Sequence, residues 1–172
     1  MIWLITGISA AGKSTVAEQL SLRFDRGVHV KGDVFRRMVT SGREEIGMVP
    51  SDEAVAQLQL RYRLGATTAD AYATAGFDVV VQDIVMGHDL RAYVDRIRTR
   101  PLHVVVLAPR VDVVAQRESA RAKTAYRDGV TPTHLDEALR GTPRIGLWLD
   151  TSDQTAAQTV DEILRRRDES LV

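Results

Sequence analysis

Gly7-Ile8-Ser9-Ala10-Ala11-Gly12-Lys13-Ser14-Thr15 fits the phosphate-binding loop pattern G-x-x-x-x-G-K-[ST] at every required position. Before it, Ile2 to Thr6 reads as a short buried strand. After it, Val16, Ala17, Leu20 and Phe24 recur at helical spacing. Strand, glycine loop and helix form the context the motif requires. The glycines let the backbone fold around a phosphate with its N–H groups pointing inward. The helix N-terminus adds partial positive charge. In this arrangement Gly7, Ser9, Ala10, Ala11, Gly12, Lys13, Ser14 and Thr15 hold the phosphates of a nucleotide. Lys13 reaches the β- and γ-phosphates, and the Ser14 hydroxyl ligates Mg²⁺. The loop names the cosubstrate class and leaves the reaction open.

Working outward, strands alternate with helices along the chain, the pattern of a parallel sheet. Gly27–Lys31 reads as the second strand, followed by a short helix from Val34 to Val39. Thr40 to Pro50 is a loop, and Ser51 caps a long helix reaching about Thr74. Phe77 to Val85 is rich in valine, as expected of a central strand buried on both faces. A helix from His88 to Arg98 and a strand from Leu102 to Leu107 follow. Next come a helix from Val111 to about Tyr126, a polar stretch, and a short helix capped by Thr133 and ending at Gly141. Ile145 to Leu149 is the last strand, and Gln154 to about Arg166 the closing helix. Arg165 to Val172 is expected to fray. The expectation is an α/β, three-layer P-loop fold: a five-stranded parallel sheet flanked by helices, one domain over residues 1–172.

Composition removes several function classes. The 172 residues are 44% apolar and 27% charged, with no net charge, so nothing favours general binding to nucleic acid or membranes. With no cysteine, disulfides, thiolate zinc sites and a cysteine nucleophile are excluded. No apolar run is long enough to span a membrane, and Met1 leads into the first strand without a basic leader. The expected location is the cytoplasm, as a monomer or homodimer. A chain without asparagine cannot carry the guanine-reading N-K-x-D motif, which argues against a GTP-hydrolysing switch.

Parallel α/β sheets bind ligands at the carboxyl ends of their strands. Three features fall there: the phosphate loop, Asp33 and Asp83. Asp33 is the candidate base for an acceptor hydroxyl; a helix-capping role competes with it. Asp83 ends an apolar strand like a Walker B carboxylate and would hold Mg²⁺ through water. Its alternative is a strand-end aspartate that fixes a loop. Arg117 and Arg121 lie on one helical face before the polar stretch. They read as the hinge of a lid closing over ATP, against a solvated helix face. Arg36, Arg37, Arg61 and Arg63 are candidates to line an acceptor pocket, or exposed helix charges; His88 and His134 are the histidines placed to face a cleft.

These elements in this order resemble the small P-loop kinases related to chloramphenicol phosphotransferase, gluconate kinase, adenylylsulfate kinase and shikimate kinase. The residues carrying the likeness are the phosphate loop, Gly32-Asp33-Val34-Phe35-Arg36, Val80-Val81-Gln82-Asp83, Leu107-Ala108-Pro109, Arg117 with Arg121, and Leu149-Asp150-Thr151-Ser152. The resemblance implies a nucleoside-monophosphate-kinase-like fold, with an acceptor-binding helical region over about 34–75 and a small helical lid over about 118–135. It makes Asp33 the acceptor-side aspartate, Arg117 a residue packing on adenine, and Arg121 a phosphate-contacting lid arginine. The turn from Asp150 to Asp153 lies near the adenine by the same likeness. Lys31 departs from the family, where several members have an acidic residue that helps hold the Mg²⁺ shell. Residues 40–75 match no acceptor signature. The resulting expectation is transfer of the γ-phosphoryl group of Mg-ATP to a hydroxyl of a small molecule, an antibiotic or related metabolite among the candidates. The catalytic set is Lys13, Asp33 and Arg121. Polynucleotide or nucleoside kinase, and non-catalytic nucleotide-binding regulator, are the alternatives.

Overall fold

The computed structural model describes residues 1–120 and 129–172. Five parallel strands run in the order β2-β3-β1-β4-β5. They are β1 (Ile2–Gly7), β2 (Gly27–Lys31), β3 (Asp78–Gln82), β4 (Leu102–Leu107) and β5 (Leu147–Leu149). β1 lies at the centre, with Ile2 to Ile5 in register with Val79 to Gln82 on one side and with Leu102 to Val105 on the other. Every residue of β1 and β4 is buried, as the unbroken apolar runs require for strands covered on both faces. The valines 79–81 of β3 are fully buried beside them.

The helices are α1 (Lys13–Ser21), α2 (Gly32–Arg37), α3 (Asp52–Thr74), α4 (Asp89–Arg96), α5 (Val111–Ser119), α6 (Pro132–Arg140) and α7 (Ala156–Arg165). α1 packs with α7, and α3 with α4. α3 starts where Ser51 places its hydroxyl on the N–H of Ala54 at 3.0 Å, satisfying one of the orphan donors of the first turn. No helix among the described residues is long and apolar enough to cross a membrane.

Several boundaries differ from the sequence reading. β3 and β5 are shorter than expected, and α2 begins two residues early. The cap of α6 is Thr131, not Thr133. Its hydroxyl accepts from the His134 N–H, and Pro132 occupies the first turn, where its missing N–H costs nothing. α7 starts after Thr155, which forms a reciprocal capping box with Gln158. α5 ends at Ser119 with Ala120 as its cap, and the expected continuation over 121–126 lies outside the described residues.

The expectation of fraying beyond Arg165 is overturned. Residues 167–170 form a 3₁₀ turn, and Ser170 is fully buried. The Val172 N–H donates to Leu102 O at 3.0 Å. Ser170 Oγ lies 2.9 Å from His103 Nδ1, and the His103 ring stacks on Trp3 at 4.1 Å. This chain end is thereby clamped to the two central strands.

Candidate active site

The phosphate loop owes its shape to two glycines. Gly7 has φ +142°, and a Cβ there would stand 2.4 Å from Leu107 O, so the loop leaves β1 pressed against β4. Gly12 has φ +94° and open space where a Cβ would be. It caps α1 in the left-handed conformation with no side-chain hydrogen bond, which leaves the first N–H groups of α1 for an anion. Between the glycines, Ala10 holds a positive φ of 63°, a conformation that costs energy for a non-glycine residue. Lys13 is buried and donates from Nζ to Ile8 O at 2.7 Å, so its ammonium lies along the loop. Ser9, Ala10, Gly12, Lys13 and Ser14 face a cleft of about 1290 Å³. Gly7, Ala11 and Thr15 do not line it; the first two are buried supports, and Thr15 is exposed on α1.

The same cleft takes in both strand-end carboxylates. Asp33 lies in the first turn of α2, whose cap position is Lys31. It therefore does not cap the helix; its side chain is about two-fifths exposed and accepts a hydrogen bond from Arg37, one turn on. Asp83 follows β3 and has no exposed side-chain surface. Its Oδ1 accepts from the Ile84 N–H at 2.7 Å, and Arg61 from α3 grips both oxygens, with Nε 2.9 Å from Oδ2. Burial pulls the Arg61 guanidinium below the ordinary arginine range. Gly32 is required beside this pair, because a Cβ there would meet Asp83 Oδ2 at 2.0 Å.

The sequence-predicted acceptor arginines divide. Arg36, Arg37 and Arg61 line the cleft, each on a carboxylate: Glu45, Asp33 and Asp83 respectively. Arg63 is exposed and does not line it. The His88 side chain is 94% exposed, and His134 bonds to Thr131, so neither lines the cleft. Arg117 leaves α5 to donate to Thr151 O at 2.9 Å, which ties that helix to the turn after β5. In that turn Asp150 accepts from Ser152, and Asp153 pairs with Arg110. Arg121 lies outside the described residues.

No group of three or more metal-binding side chains occurs among the described residues. Mg²⁺ binds through one or two side chains and substrate phosphates, keeping several waters. The exposed Ser14 hydroxyl group and Asp83 both line the cleft beside the open N-terminus of α1. Ser14 is placed to meet a nucleotide-borne Mg²⁺, and Asp83, whose oxygens are held by Arg61, would reach it through water. The Arg61–Asp83 pair and the cleft's apolar wall escaped the sequence reading. A buried arginine on a long helix 22 residues from a strand-end aspartate leaves no local signal.

The AAA domain family model, AAA_33, matches residues 2–145. No curated protein sequence matches. Among solved structures, a sugar kinase from Janibacter sp. HTCC2649 is 22% identical, with coverage of 98% of this chain and 95% of its own and a TM-score of 0.69. The Deinococcus radiodurans tunicamycin resistance protein is 17% identical over 99% and 97%, with a TM-score of 0.67. The Mycobacterium tuberculosis APS kinase CysC in complex with AMPPNP and APS is 18% identical over 97% and 96%, also at 0.67. All share the fold with a chain whose nucleotide loop stands at the head of the central strand. The chain belongs to the AAA domain family AAA_33, and it shares the fold of these solved structures.

Proposed function

We propose that this chain is an ATP-dependent phosphotransferase acting on a hydroxyl of a small molecule, with residues 1–172 working as one catalytic domain. The observation that carries the reading is one cleft lined by Lys13 and Ser14 of the phosphate loop and by both Asp33 and Asp83. A kinase needs positioning, charge neutralisation and a base near its acceptor more than covalent chemistry. The likeness to kinase structures supports the same class.

In this reading the phosphates of ATP lie on the loop N–H groups and the start of α1. Asp33 orients the acceptor hydroxyl and takes its proton as the acceptor oxygen forms its bond to the γ-phosphorus. The bond from that phosphorus to the β–γ bridging oxygen breaks, and ADP leaves with the electron pair. Lys13 neutralises charge on the transferring group, and Arg37, which donates to Asp33 Oδ2, orients its carboxylate. Ser14, and Asp83 through water, would hold the Mg²⁺ that accompanies ATP, which would supply charge neutralisation at the phosphates. Arg117 and the turn from Asp150 to Asp153 border the adenine, and Arg121 belongs to the lid over about 118–135. The acceptor lies against the region over about 34–75. A cytoplasmic location, where Mg-ATP is found, agrees with this role.

The test is ADP release from Mg-ATP across a panel of hydroxyl acceptors, with Lys13→Ala alongside. Acceptor-dependent release, and loss of both nucleotide affinity and transfer in the variant, are expected. Unchanged kinetics in Lys13→Ala would refute the phosphate-loop assignment.

A further inference from the structure

We infer that the acceptor is an uncharged alcohol with a substantial apolar body, rather than an acid, a phosphate or a sulfate ester. The inference rests on the kinase reading and deepens it at the acceptor half of the same cleft.

Two independent observations converge. The first is the wall. Phe35 of α2, Met38 just after it, Ile46 in the following loop, Leu60 and Leu64 of α3, and Leu135 of α6 all line the cleft. Met38 is 65% exposed, Ile46 44%, Leu64 38% and Leu60 37%. Leu60 and Leu64 are one helical turn apart, so they present one apolar stripe. Large apolar side chains scattered singly over a surface need no explanation, but several converging on one concavity mark a binding surface for apolar matter.

The second observation is charge. The wall carries four arginines besides the loop lysine, and every one of them already holds a carboxylate. Arg36 and Arg43 are on Glu45, Arg37 on Asp33 and Arg61 on Asp83. Glu44 and Asp89 add further negative charge to the same lining. An anionic acceptor would have to take an arginine from its partner. At Arg61 that would strand a fully buried carboxylate, the costly way to break an ion pair. Among the described residues the acceptor half therefore offers an apolar surface and balanced charge, with no uncommitted arginine.

The experiment uses N-phenyl-1-naphthylamine, a neutral apolar fluorophore, on the full chain, with a fluorescent ATP analogue as a separate readout. The protein should bind the fluorophore with a rise in emission, and a large excess of gluconate should leave it bound. Leu60→Gln combined with Leu64→Gln should weaken fluorophore binding about fivefold, as expected for replacing two partly buried leucine contacts, while the nucleotide analogue binds as before. Met38→Gln, at a more exposed position, gives the same reading in a second variant should the double variant fold poorly. Fluorophore that fails to bind, that binds the variants as tightly, or that gluconate displaces would overturn the inference. Failure of the unaltered protein to bind the nucleotide analogue would instead overturn the kinase reading on which it rests.

Discussion

Arg61→Met removes one partner of the most deeply buried ion pair in the cleft and keeps the stem of the side chain. In the unaltered protein Asp83 has no exposed side-chain surface, and Arg61 has 13%. Arg61 gives the carboxylate two charged hydrogen bonds, and Ile84 gives one from its backbone. The substitution leaves Asp83 with the Ile84 N–H alone, beside Gly32, where a Cβ would meet Oδ2 at 2.0 Å. Breaking a buried pair from one side costs about 3–5 kcal/mol, and the residual exposure of Arg61 places this one near about 3 kcal/mol. For a domain of this size each kcal/mol lowers Tm by about 2–4 °C, so a loss of about 6–12 °C is expected. Thermal unfolding followed by circular dichroism measures it. Adding Asp83→Asn removes the stranded charge, so the double variant should recover much of the loss, and the cycle should return a coupling of about 2 kcal/mol or more. A variant melting within about 2 °C of the unaltered protein, or a cycle with no coupling, would refute the buried-pair assignment.

Two further predictions concern the sheet. His29 of β2 has a pKa pushed down to about 4 by burial, with the Lys31 charge acting in the same direction. The unfolded chain therefore takes up a proton below about pH 6.5 that the folded chain refuses until about pH 4. Stability should fall as pH drops through that window, and His29→Gln should lose less of it in urea titrations; equal losses would show that His29 is not held neutral. Truncation after Arg166 removes Ser170 and the Val172–Leu102 hydrogen bond and uncovers His103. A cost of about 2–3 kcal/mol is expected from the lost hydrogen bonds and buried contacts, and an unchanged Tm would contradict the clamp.

The legibility of this chain follows the range of its interactions. The phosphate loop, the valine runs of β3 and β4, and the Ser51 cap are local signals, and each appears where the residues place it. Thr131-Pro132 was also legible as a cap and first turn, a stronger signal than Thr133 alone. Ser170 was not, because the run Arg165-Arg166-Arg167-Asp168-Glu169 reads as solvated while its burial depends on His103, 67 residues away. Within the site, topology brought Asp33 and Asp83 to the cleft of the loop, as the strand-end rule requires. The roles of Arg36, Arg61 and Arg117 were hidden, because each is set by a partner outside its own helix. Arg61 turned to Asp83, and Arg117 to a backbone carbonyl 34 residues on.

The central claim is that Asp33 completes a phosphotransfer site begun by the loop at Gly7 to Thr15. Its most direct test measures Asp33→Asn twice: nucleotide affinity by calorimetry, and acceptor-dependent ADP formation at saturating Mg-ATP. Asparagine keeps the shape and removes the proton-accepting charge. Nucleotide affinity should stay within about twofold, while turnover falls by about 10²–10⁴, the range of a lost general base. Turnover within a few-fold of the unaltered enzyme would contradict the account.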